Sequence, residues 1–173
     1  MSTHLISNVR EVPRALATVD AAPGQTNPPR RILVVDDDIS VRQVSTDLLT
    51  RSGYHVDVAE DGAVAWNTLQ ANRYDLVVTD HNMPKLTGVE LVKKLRAARM
   101  ALPVILVSGA LPTEELDRHP RLQLAATLLK PFTAEELLLA VTEVLRATAR
   151  APQLIASVHG QQSRAPAEDG LRM

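Results

Sequence analysis

ILVVDDD, residues 32–38, decides the fold: four apolar residues in a row run straight into three aspartates. A strand with one face in water alternates apolar and polar residues. An unbroken apolar run hides both faces, as in a parallel sheet covered on two sides by helices. Further short runs follow at 55–59, 76–79, 104–107 and 127–129, several of them also continuous. Helical patterns fill the gaps. After Asp38, the residues Val41, Val44, Leu48 and Leu49 recur at helical spacing, and Gly53 stands where a C′ glycine belongs. Residues 62–71 carry Val64, Ala65, Leu69 and Ala71, and residues 88–98 carry Val89, Leu91, Val92 and Leu95. The stretch 112–119, opening on Pro112, is a weaker helix. Thr133 and Glu136 form a capping box ahead of Leu137, Leu138, Val141, Val144 and Leu145. Strand and helix thus alternate five times. Such a repeat builds an α/β fold, a doubly wound parallel sheet with helices on both faces.

Ligands of open α/β sheets bind at the carboxyl ends of the strands. The first strand ends in Asp36, Asp37 and Asp38, and the third in Asp80. The fourth ends in Ser108 and Gly109, the fifth in Lys130 and Pro131. Acids at one strand end can be a solvated turn, and a lone lysine is usually a surface residue. Their joint placement on one sheet edge outweighs that reading. Several carboxylates at close range repel one another unless a cation joins them. A hard divalent ion such as Mg²⁺ suits their oxygens. With an ammonium and a hydroxyl nearby, the set is suited to phosphoryl transfer onto a carboxylate. Asp38 has a different expected task, capping the first helix.

Composition narrows the rest. The 173 residues carry 19 Lys and Arg against 20 Asp and Glu, a net charge of −1 that gives no reason to expect nucleic acid or an acidic membrane as partner. The acidic excess falls in residues 30–148. No cysteine is present, which excludes disulfides and thiolate chemistry. Trp66, Tyr54, Tyr74 and Phe132 are the only aromatics, too few for a base-stacking platform. No His pair has metal-ligand spacing, and His81, beside Asp80, is expected at the site entrance. Neither a membrane span nor a secretory signal is visible, so the expected location is cytoplasmic. Residues 1–29, with Pro13, Pro23, Pro28 and Pro29, read as a disordered N-terminal tail. Residues 149–173 read as a flexible C-terminal tail, where Leu154, Ile155 and Val158 could form a short docking helix.

The stretches ILVVDDD (32–38), DLVVTDHNMPKLTG (75–88), PVILVSG (103–109) and LLKPF (128–132), in this order and at these strand ends, resemble the receiver domain of bacterial two-component response regulators, of the chemotaxis-receiver type. The resemblance covers residues 30–148. It implies the flavodoxin-like (βα)5 fold with strand order 2-1-3-4-5. It implies that Asp80 is the phosphoacceptor, that Ser108 and Lys130 contact the phosphoryl group, and that Lys130–Pro131 is cis. It further implies that Mg²⁺ is held by Asp36, Asp37, Asp80 and the backbone carbonyl of Asn82, with Asp37 the more direct of the acidic pair. Gly109 would leave access to Asp80, and Met83 would pack.

The function so implied is that of a single-domain response regulator. It would catalyse its own phosphorylation from a histidine kinase or histidine phosphotransfer protein, and its own dephosphorylation. Output would pass through protein contacts or onward phosphotransfer, without direct DNA binding. The downstream target and phosphorylation-dependent dimerisation are left open. One departure stands out: Thr127 occupies the position, three before Lys130, where many receivers carry an aromatic switch. It motivates an atypical surface over the fourth helix and fifth strand. It also motivates a rival reading, a pseudo-receiver that binds proteins independently of phosphorylation.

Overall fold

The chain is seen in a computed structural model that describes residues 28–110 and 112–160, with 151–160 by backbone alone. Its elements are β1 (Arg31–Val35), α1 (Ile39–Arg51), β2 (His55–Ala59), α2 (Gly62–Ala71), β3 (Leu76–Asp80), α3 (Gly88–Ala97), β4 (Val104–Ser108), α4 (Thr113–Arg118), a 3-10 turn at Pro120–Leu122, β5 (Ala126–Leu129) and α5 (Ala134–Gly160). The strands form one parallel sheet in the order β2-β1-β3-β4-β5, the flavodoxin-like arrangement.

Burial explains the strand signals. β3 and β4 are buried at every residue, and β1 at all but Arg31. Successive side chains point to opposite faces. Ile32, Val34, Leu76, Val78, Ile105 and Val107 meet Leu49 of α1 and Leu137 and Val141 of α5. Leu33, Val35, Val77 and Leu106 meet Leu69 of α2 and Leu91, Val92 and Leu95 of α3. The edge strands are only half covered, leaving Val58 of β2 and Leu129 of β5 exposed.

The helix starts follow their capping residues. The Asp38 side chain accepts from Ser40 N at α1, and Asp61 accepts from Val64 N at α2. Thr87 and Glu90 close a capping box on α3, and Thr133 and Glu136 close the one ahead of α5. Gly53, past the end of α1, has φ +89°, a conformation that favours glycine. α4 is short and buries no residue.

The C-terminal boundary differs from the sequence reading. α5 does not stop at Thr148 but continues to Gly160, through Pro152. The tail expected over 149–173 therefore begins as helix, and Leu154, Ile155 and Val158 lie within it. Ala147, Ala149, Arg150, Ala151 and Leu154, which flank the proline that reads as a stop, are strong helix formers. The remaining residues of that tail, and all of 1–29 except Pro28 and Pro29, lie outside the described residues. Among the described residues, no helix is long and apolar enough to cross a membrane.

Candidate functional site

Parallel pairing brings four strand ends to one edge. Val35 pairs with Thr79, Asp80 with Val107, and Ser108 with Leu129, so Asp36, Asp80, Ser108 and Lys130 follow one another across the sheet. Asp36 and Asp80 are only 3% and 5% exposed. Lys130 Nζ lies between them, 2.9 Å from Asp36 Oδ2 and 2.6 Å from Asp80 Oδ1. Burial opposes the charge on Lys130. Its hydrogen bonds to Asp80 and Asp36 outweigh that cost and hold the ammonium above the usual lysine range. The Lys130–Pro131 bond is cis.

The other oxygen of Asp36, Oδ1, accepts from the backbone N–H of Asp38 at 2.9 Å. Asp37 is exposed, and so is Asn82. Asp38 is held below the usual aspartate range by the backbone N–H groups of Ser40 and Val41, as its capping task requires. Among the described residues, no hydrogen bond reaches Asp80 Oδ2. Ser108 is fully buried, and its hydroxyl donates to the carbonyl of Ala110 at 2.5 Å. The structure therefore brings Asp36, Asp80 and Lys130 into contact, while Ser108 stands at the adjacent strand end with its hydroxyl engaged in the β4–α4 loop.

The glycines around Asp80 serve space. A Cβ at Gly88 would collide with the carbonyl of Asp80 and lie 2.9 Å from Leu106 Cδ1, whereas one at Gly109 would meet nothing within 4 Å. Met83 is buried in the core. Its loop also holds His81, whose Nδ1 is buried without a hydrogen-bond partner.

Three residues near the site went unread in the sequence. Arg42 donates to the carbonyl of Asp36 at 2.5 Å. Lys85, with φ +65°, reaches back to the buried Asp61 at the head of α2. The Asp-Gly pair at 61–62, one residue past β2, was the signal available for the second contact. Arg42 offered none beyond its position on α1.

The donor chemistry fits a hard cation. Asp36, Asp37, Asp80 and the Asn82 carbonyl offer only oxygens, and one ammonium leaves the two buried carboxylates with a net negative charge. No group of three or more His, Asp or Glu side chains gathers at metal-binding range among the described residues. Backbone carbonyl and water would therefore complete any such shell.

A (βα)5 sheet with an acidic pair, a buried aspartate, a hydroxyl and a lysine at successive strand ends defines a receiver of two-component signalling. The response regulator receiver domain family matches residues 32–142, and the chain belongs to it. Among curated relatives, response regulator MprA of Mycobacterium sp. (strain KMS) is 40% identical over 122 residues, 69% of this chain and 52% of that protein. The chain thus spans about half the length of the curated relatives it matches. Chemotaxis response regulator CheY4 of Vibrio cholerae, 33% identical, superposes with a TM-score of 0.63 over 68% of this chain and 99% of that one. TrrA of Thermotoga maritima, solved in complex with Mg²⁺ and BeF, is 29% identical, with a TM-score of 0.59 over 66% of this chain and 98% of that one. Receiver domains bind Mg²⁺ for phosphorylation and interact with histidine kinases or phosphotransfer proteins.

Proposed function

We propose that Asp80 accepts a phosphoryl group from the phosphohistidine of a histidine kinase or histidine phosphotransfer protein. A carboxylate oxygen of Asp80 attacks phosphorus. The P–N bond breaks, the imidazole leaves and recovers its proton from solvent, and an acyl phosphate remains on Asp80. Lys130 is already charged 2.6 Å from Asp80, ready to pair with a phosphoryl oxygen. The Ser108 hydroxyl would exchange the Ala110 carbonyl for a second phosphoryl oxygen. Asp36, Asp37, Asp80 and the Asn82 carbonyl would hold Mg²⁺, which supplies positive charge against the phosphoryl oxygens.

The observation that carries this reading is one ammonium shared by two buried carboxylates at adjacent strand ends. New charge at Asp80 then biases a two-state surface that a partner protein reads. We place this action in the cytoplasm and its output in protein contacts, since a net charge of −1 does not favour a phosphate backbone.

Beryllofluoride with Mg²⁺ mimics the acyl phosphate and tests the site. Binding that is lost in Asp80→Ala supports the reading, and phosphotransfer from a panel of histidine kinases, with Asp80→Asn as control, identifies the donor. Thr127, exposed on β5, favours a second reading, a phosphorylation-independent binding module. That reading requires no beryllofluoride binding, or binding that survives Asp80→Ala.

A further inference from the structure

The loop from His81 to Thr87 carries Asn82, the proposed carbonyl ligand, and is thinly held. His81 N–H bonds to the Val107 carbonyl at 2.8 Å, and Gly88 N–H to the His81 carbonyl at 3.0 Å. Between these, Met83 N–H and Leu86 N–H reach only two residues back, to His81 and Pro84. Lys85 sits at the apex with φ +65°, a left-handed conformation that costs a lysine energy and persists only where its surroundings hold it.

What holds it lies on another element. Lys85 Nζ is 2.5 Å from Asp61 Oδ2. Asp61 is 1% exposed and uses Oδ1 to cap α2 through Val64 N–H. Its two oxygens thus serve two different elements. Beside it, a Cβ on Gly62 would collide with the carbonyl of Leu86 and lie 2.9 Å from Leu86 Cβ, so the head of α2 is pressed against the loop. Among the described residues, this is the only ion pair that reaches residues 81–87.

We infer that the Asp61–Lys85 ion pair is a positioning clamp: it fixes the β3–α3 loop against α2 and so sets the Asn82 carbonyl for the metal. Neither side chain touches Asp80, Lys130 or the phosphoryl group. The inference rests on the reading of the site as a Mg²⁺-dependent receiver. The bond to Lys85 holds Asp61 below the usual aspartate range, in line with a carboxylate kept charged despite burial.

The test uses the full chain with Lys85→Ala, Lys85→Arg and Asp61→Asn, the last keeping the acceptor that caps α2. Hydrogen exchange of the metal-free proteins reads the loop directly. Amides in 82–87 should exchange roughly tenfold faster in Lys85→Ala and Asp61→Asn, while the central strands keep their protection. Titration calorimetry with Mg²⁺ alone should show affinity weaker by roughly tenfold, the usual effect of removing a support behind a metal ligand. Lys85→Arg should restore both. If Lys85→Ala exchanges and binds Mg²⁺ as the wild type does, or loses only global stability, the clamp is refuted and the receiver reading stands. A wild-type chain that takes neither Mg²⁺ nor beryllofluoride refutes the receiver reading and the clamp's role toward the metal with it.

Discussion

Lys130→Met removes the ammonium between Asp36 and Asp80 and keeps most of the apolar stem. Both carboxylate oxygens touch the same nitrogen, at 2.9 and 2.6 Å, so their separation cannot exceed the sum of those distances. At an effective dielectric constant of about 20, two like charges about 5.5 Å apart repel by roughly 3 kcal/mol. Wild-type Lys130 cancels that repulsion. Its side chain is 31% exposed, so water can screen part of the loss when it is removed. A destabilisation of about 2 kcal/mol is expected after this discount.

Urea unfolding at pH 7 and low salt, with and without Mg²⁺, measures the effect. Without Mg²⁺ the variant should lose about 2 kcal/mol relative to wild type. With Mg²⁺ at about a hundredfold its Kd, a bound ion stabilises any folded chain by about 2.7 kcal/mol. The variant should gain more than wild type at the same concentration, because its unneutralised carboxylates bind the cation more tightly. Phosphorylation should nevertheless fall, since Mg²⁺ cannot replace an ammonium aimed at the phosphoryl oxygen. A variant as stable as wild type without Mg²⁺, or one that gains no more from the ion, would refute the electrostatic coupling of Asp36, Asp80 and Lys130.

Gly88→Ala should cost about 1–3 kcal/mol in chemical denaturation, because its Cβ meets the Asp80 carbonyl and Leu106; an unchanged midpoint would show that α3 can shift freely. Thr133→Ala should cost about 1 kcal/mol at neutral pH by opening the capping box. The backbone N–H and then the hydroxyl of Thr133 hold Glu136 below the usual glutamate range. A carboxylate depressed by folding stabilises fully above its unfolded pKa and ceases to do so as pH falls through the folded one. Thr133→Ala removes only the hydroxyl's bond to the carboxylate, so the gap to wild type should narrow in acid by that share, while the lost acceptor for Glu136 N–H keeps the rest; a gap that widens in acid would count against the box. Ser108→Ala should leave Mg²⁺ affinity unchanged and weaken beryllofluoride binding by roughly tenfold or more, read by titration, as expected for a lost hydrogen bond to a charged group; equal binding would remove Ser108 from the phosphoryl site.

The middle of the sheet was legible because β1, β3 and β4 are buried on both faces, and such strands are built mostly from continuous apolar residues, with polar Thr79, Asp80 and Ser108 only at their carboxyl ends. The strand-end residues were legible for a related reason: a polar residue directly after such a run must lie at the sheet edge. β5 was harder to bound, since an edge strand that only half-buries alternate residues leaves a weaker pattern. The course of α5 beyond Thr148 was missed because Pro152 reads as a stop. The contact between Asp61 and Lys85 joins a buried cap to an exposed lysine 24 residues away, and no local periodicity encodes such a pair. The hydroxyl direction of Ser108 depends on a loop conformation that composition does not specify.

That hydroxyl bears on how a signal could leave the site. Ser108 can turn to a phosphoryl oxygen only by giving up the Ala110 carbonyl, which ties the chemistry to the backbone of the β4–α4 loop. The segment beyond is anchored at its far end. Leu122 is buried, and Arg96 of α3 donates to the carbonyls of Leu122 at 2.8 Å and Gln123 at 3.3 Å. Lys93 holds Glu115 at 2.7 Å, yet α4 itself buries no side chain. A helix held by one partly exposed ion pair and by the half-buried Leu116, between the Ser108 hydrogen bond and the Leu122 anchor, is cheap to displace. With the small, exposed Thr127 in place of a ring, β5 carries no aromatic side chain to relay the movement. Displacement of α4 would break the Lys93–Glu115 pair, the ion pair that ties this helix to α3.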